Sequence, residues 1–195
     1  MHIPASQSAI RLGAARPIDA AATSALPSRA ANHSLESLGR EYGDPPPKLV
    51  RSAAGRQHSR RRLRDAHGFL VGGLKRHVTN EHFYLYQAGI VAQLGISAHL
   101  LDVGFEDEWC ARNIGLRVGK SLAYANATGL DHGSLEMARL AEVLTPYWKW
   151  NPVPPAGGLG YDDGGFTPEI VIPLLRELLE RVSAVTSHRP RLLMS

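Results

Sequence analysis

The chain has 195 residues, an apolar share of 44%, a charged share of 21% and a net charge of +4. That length holds one domain, or one domain with a tail, and the apolar share is enough for a core. The single cysteine, Cys110, excludes an internal disulfide framework and a four-cysteine zinc site, and no apolar run reaches the ~18 residues of a membrane-spanning helix.

Residues 1–35 carry Arg11, Arg16 and Arg29 against one acid, Asp19, among many alanines and serines. This composition fits either an Ala/Arg-rich disordered extension of a cytoplasmic protein or an organellar transit peptide. Residues 1–47 lack spaced apolar side chains, so little burial offsets the entropy of ordering them. They end in Gly43-Asp44-Pro45-Pro46-Pro47, a stiff spacer. We therefore expect a flexible arm over residues 1–60.

The positive charge is concentrated between Lys48 and His77, where nine basic residues face one acid, Asp65. Residues 78–195 hold nine basic and thirteen acidic residues, so a basic segment joins a mildly acidic body. Such a segment attracts phosphate in a salt-dependent way. Its candidate nucleic-acid contacts are Arg56, Arg60, Arg61, Arg62 and Arg64. The stretch from Lys48 to His67 has no aromatic residue, so it offers no stacking platform for unpaired bases.

Residues 56–66 suit a charged helix. His67 to Leu74 contains Gly68, Gly72 and Gly73 and reads as a hinge or a short strand. A helix is expected from Glu81 to Leu94, capped by Thr79 or Asn80, with Phe83, Tyr86, Ile90, Val91 and Leu94 on one face. Gly95 is expected to end or bend it, followed by a short helix and turn through Phe105.

The next helix is expected from Glu106 to Ala127. Cys110, Ile114, Val118 and Leu122 form a ridge at four-residue spacing, beside a groove of Ala111, Gly115, Gly119 and Ala123. Interior glycines cost about 1 kcal/mol each against alanine, which points to a closely approaching neighbour, either a helix of this domain or a second copy. A further helix is expected from Ser134 to Leu144, stopped by Pro146. A Pro- and Gly-rich loop over 146–165 follows. The last helix starts near Thr167-Pro168 or at Pro173 and buries Leu174, Leu175, Leu178, Leu179 and Val182. The fold class is thus all-α, a small bundle of about four helices over residues 66–187 behind a basic arm.

Several chemical motifs fail on spacing or context. Gly115 to Ser121 has three residues between its glycines where a phosphate-binding loop needs four, and it follows no strand. Val91 to Ser97 resembles the start of a helix-turn-helix, yet the following helix has no base-reading side chain. His77 and His82 are five apart, a poor helical spacing for a metal, and His99 and His132 are isolated. Cys110 falls on the apolar ridge and reads as a buried thiol. No metal, cofactor or catalytic set is assigned.

The remaining candidates are partner-binding: Gly115 and Gly119 in the groove, and Trp148 and Trp150 in an aromatic cluster with Tyr147, Tyr161 and Phe166. The expected function is a non-catalytic binding or regulatory protein. Its helical body would meet a protein partner or a second copy, and its arginines would contact nucleic acid. The alternative is a small enzyme with a site under loop 146–165, using Asp162 or Asp163 with a histidine.

Overall fold

The computed structural model describes residues 34–74, 81–149 and 162–188. These residues contain seven α-helices and no strand, so the chain is all-α. The helices are α1 (Leu35–Tyr42), α2 (Ala53–Gly68), α3 (Glu81–Val103), α4 (Asp107–Trp109, one turn), α5 (Val118–Ala127), α6 (Leu135–Lys149) and α7 (Pro168–Thr186). Two π-helical segments, Phe69–Gly73 and Cys110–Ile114, extend α2 and α4.

α3 is the axle of the fold and packs against α2, α5, α6 and α7. Tyr84, Leu85, Ala88, Val91, Ala92, Ile96, Ala98 and Leu100 are all buried. With Ile90, Ser97 and Leu101 buried on the opposite side, burial runs around the whole circumference, as expected of a helix enclosed by its neighbours. Gly95 does not end α3. It lies against the Leu179 side chain of α7, and the missing Cβ lets the two helices approach.

From Ser34 onward the expected arm is folded, so the helical domain already includes residues 34–65. Ser34 caps α1 by accepting the Ser37 N–H at 3.1 Å, and Gly43 closes it in the left-handed conformation. Leu38 is buried in the common core, which is worth about 1.5–3 kcal/mol. Ser52 caps α2 through the Gly55 N–H, and Ser59, Leu63 and Ala66 line its buried face. The expected break at His67–Leu74 is instead a continuous π turn, in which the Leu74 N–H bonds to the Phe69 carbonyl.

The helix expected over Glu106–Ala127 is interrupted. Its π segment closes with the Gly115 N–H on the Cys110 carbonyl at 2.9 Å. Gly115 then takes φ 62°, ψ −133°, which only glycine adopts readily. The chain restarts as α5 at Val118, so the four-residue ridge and groove belong to two separate helical pieces. α6 passes Pro146 and runs to Lys149, so that proline removes one backbone donor without stopping the helix. α7 starts where the Thr167-Pro168 pair puts it.

Candidate binding site

α2 has three working faces. Ser59 and Leu63 point into the core. On one flank, Arg56 Nε lies 3.5 Å from Asp102 Oδ1. On the opposite flank, Arg62 forms a 2.6 Å ion pair with Asp107 at the start of α4. Arg60, Arg61 and Arg64 point outward and are exposed. Arg61 has only a loose contact, 3.9 Å, with the exposed Asp65 one turn on. Among the described residues, Arg60 and Arg64 make no ion pair. Exposed pairs of this kind add little, about 0.2–1 kcal/mol, so these three guanidinium groups are free for another anion.

Beside this face a cavity of about 800 Å³ opens between α2, α3 and the π segment after α4. His58, Arg61, Arg62 and Asp65 of α2 edge one side, with Phe69 of the first π segment below them. Ile90, Gln93, Leu94, Ser97 and Leu100 of α3 form the back wall. Cys110, Ala111 and Ile114 of the second π segment face them, and Gly115 and Leu116 complete the rim. Both π segments therefore open onto one cavity, and such segments are frequent at functional sites. The back wall holds a small polar device. Gln93 Nε2 donates to the Gly115 carbonyl, and Ser121 Oγ donates to Gln93 Oε1, each at 3.2 Å. Burial, with the nearby Asp107 charge, pushes the Cys110 thiol up to about 12, so it lines the cavity as a neutral group.

Two buried polar clusters lie elsewhere. Asp44 accepts from Lys120 Nζ at 2.6 Å and from the Tyr124 hydroxyl at 2.6 Å, and Lys120 also donates to the Asn113 carbonyl at 2.8 Å. Lys120 further sits 4.7 Å from the centre of the Tyr42 ring. The second cluster joins Ser59, His188 and Asp102. Ser59 Oγ donates to the Ala98 carbonyl at 2.6 Å and lies 3.0 Å from His188 Nε2. Asp102 Oδ1 approaches the same Nε2 at 3.3 Å. A nucleophilic relay needs the hydroxyl to donate to one ring nitrogen and the acid to hold the other. Here both partners crowd one nitrogen and the hydroxyl proton goes to the backbone, so the cluster ties the end of α7 to α2 and α3.

The other expected residues fall in scattered places. Gly119 lies under the Glu142 carboxylate of α6, so its small face is occupied within the chain. Trp148 is on the last turn of α6, with its side chain outside what the structure describes. Trp150, Tyr161 and the loop between them lie outside the described residues, as do residues 1–33 and His77. Phe166 is buried, with the Arg139 guanidinium 5.7 Å from its ring centre. Asp162 and Asp163 accept the backbone N–H groups of Gly164 and Gly165, so both carboxylates shape a turn. His99 and His132 are buried apart from each other, and burial holds both below the ordinary imidazole range. Among the described residues no cluster of three potential metal ligands forms, and no helix is long and apolar enough to cross a membrane.

Compared with protein-family models, curated proteins and solved structures, the chain matches none.

Proposed function

We propose that the chain is a non-catalytic binding or regulatory protein of the cytoplasm. In this reading α2 contacts the phosphates of nucleic acid, and the helical body receives a protein partner. The observation that carries it is the outward face of α2. Arg60, Arg61 and Arg64 stand exposed on a helix whose opposite face is locked into the core, so the charges are held in fixed register. Weakly paired guanidinium groups spaced along a fixed helix suit phosphate oxygens. The face carries no aromatic side chain for stacking, and in this reading its guanidinium groups meet phosphate oxygens, so the contact follows the backbone.

Fluorescence anisotropy of labelled duplex DNA and RNA against the full-length chain, over a salt series, tests this. The expected result is binding that weakens steeply with salt and drops at least about tenfold in Arg60→Glu/Arg64→Glu. Affinity indifferent to both salt and charge reversal overturns the nucleic-acid reading. The partner surface is supported by the exposed Phe69 and Val71 after α2 and by Leu116 across the cavity. A dimeric mass by light scattering that becomes monomeric in Val71→Asp identifies the partner as a second copy. A monomeric mass at micromolar concentration removes self-association.

A further inference from the structure

We infer that the cavity between α2, α3 and the second π segment is a binding site for a small amphipathic anion, a molecule with an apolar chain or ring and one carboxylate or sulfonate head. The site shares Arg61 with the proposed phosphate-contacting face but is not lined by Arg60 or Arg64, so charge reversal at those two positions separates it from the nucleic-acid reading.

The volume, about 800 Å³, lies within the roughly 300–1,000 Å³ of small-molecule sites, which pair apolar walls with a few placed polar groups. Ile90, Leu94, Ile114 and Leu116 supply the walls. Leu116 and Phe69 are about 40% exposed at the rim, where burial beneath a ligand is favourable. Arg61 and His58 lie one turn apart on the same flank of α2 and edge the mouth. Arg61 is the cation there with the weakest internal partner, an i,i+4 carboxylate at 3.9 Å with both groups exposed. A ligand head that gives the guanidinium a shorter, two-pronged contact displaces it at little cost.

The Arg62–Asp107 ion pair decides the size of the occupant. It joins the two walls at the surface with a 2.6 Å contact. A helix or strand laid along the groove would have to break it, whereas a thin chain or a fused ring passes beside it. The backbone around the cavity is also built for an opening. Two π turns widen the helices that flank it, and the left-handed Gly115 turns the chain away at its edge.

The test uses the full-length chain with decanoate and with the neutral decanol of equal length, followed by calorimetry and by displacement of an anilinonaphthalene sulfonate probe. Decanoate is expected to bind at one site and to displace the probe. Ala111→Trp puts an indole into the cavity from an exposed position and should abolish binding. Leu116→Trp blocks the rim and serves the same purpose if Ala111→Trp does not fold. Arg61→Ala should weaken decanoate about tenfold and leave decanol unchanged, while Arg176→Ala on the exposed side of α7 alters neither. No saturable binding of decanoate or the probe overturns the inference, as does binding that survives both tryptophan substitutions. Equal affinity for decanol and decanoate, unaffected by Arg61→Ala, overturns the assignment of the head group. A dimer dispersed by either tryptophan variant assigns the cavity to a second copy and overturns the small-molecule reading.

Discussion

Two of the contacts between the α1–α2 segment and the helical body are built from opposite materials. At the first, Asp44 drives a carboxylate between Lys120 and Tyr124. The lysine side chain is 2% exposed and the aspartate 7%. Both charges are buried, paired, and further satisfied by the Asn113 carbonyl and the Tyr124 hydroxyl. At the second, α2 stands beside α3 with apolar walls left uncovered and with Arg61 at the rim only 3.9 Å from its one carboxylate partner, Asp65. Where buried polar groups are fully satisfied the contact is structural. Where apolar surface and a loosely paired arginine remain, the contact leaves room for the proposed ligand.

The largest effect expected from this contrast comes from removing one half of the clasp. Lys120→Met leaves Asp44 buried with the tyrosine alone and should cost about 3–5 kcal/mol in urea unfolding. Restoring neutrality with Asp44→Asn in the same chain should recover part of the loss. A single substitution costing under about 1 kcal/mol would mean that the clasp is solvated and that the contrast fails.

An intermediate case is His99, buried with one ring nitrogen 3.3 Å from the Thr128 hydroxyl and the other without a hydrogen-bond partner among the described residues. Burial holds this imidazole down at about 4, against about 6.5 in an unfolded chain. Between those values the unfolded chain binds a proton that the folded chain does not. Stability is therefore complete above pH ~6.5 and falls as the pH is lowered towards ~4, by up to about 3 kcal/mol. His67, His132 and His188 are lowered by burial as well and add to the same trend. Unfolding curves at intervals across this range check it, with His99→Gln flattening the slope. A midpoint that rises on acidification contradicts it.

Gly104 sharpens how tightly the segment before α2 is held. Its φ is +109°, its carbonyl accepts the Val50 N–H at 2.9 Å, and an added Cβ would meet the Val50 nitrogen at 2.7 Å. Gly104→Ala should cost about 1–3 kcal/mol, read as a shift in thermal midpoint. A neutral result would detach residues 48–52 from the end of α3. The smallest effect belongs to the open contact. Arg62→Ala removes a half-exposed ion pair and should change stability by less than about 1 kcal/mol, measured by the same melts. A larger loss would make the cavity mouth a structural joint like the clasp.

Helicity and much of the core were legible in the sequence, because apolar residues at three- and four-residue spacing mark buried faces however the helices pair. The start of α7 was legible because Thr167-Pro168 is a local signal. The charged helix was legible too, but not its packing. Ser59 and Leu63 look like interruptions among arginines until α3 is placed against them. Asp44 meets Lys120 and Tyr124 across 76 and 80 residues, and nothing local distinguishes it from a spacer residue. That is why a folded segment read as an arm. Gly95 and Gly115 show the limit from another side. One lies under Leu179 within an unbroken helix and the other turns the chain at a helix end, and the difference depends on neighbours that spacing does not reveal. The cavity left no sequence signature, since its walls come from α2, α3 and two π segments.

In the proposed reading one helix, α2, folds the protein with one face and binds with another. Unfolding free energy and duplex affinity measured together on Leu63→Ala and Arg60→Ala/Arg64→Ala test it most directly. Leu63 is buried, so its loss should cost about 2–5 kcal/mol while the folded fraction keeps its affinity. The arginine pair should leave stability within about 0.5 kcal/mol and reduce the salt slope of duplex binding by about 2. Arginine substitutions that unfold the protein, or that leave the salt slope as it was, would contradict the account.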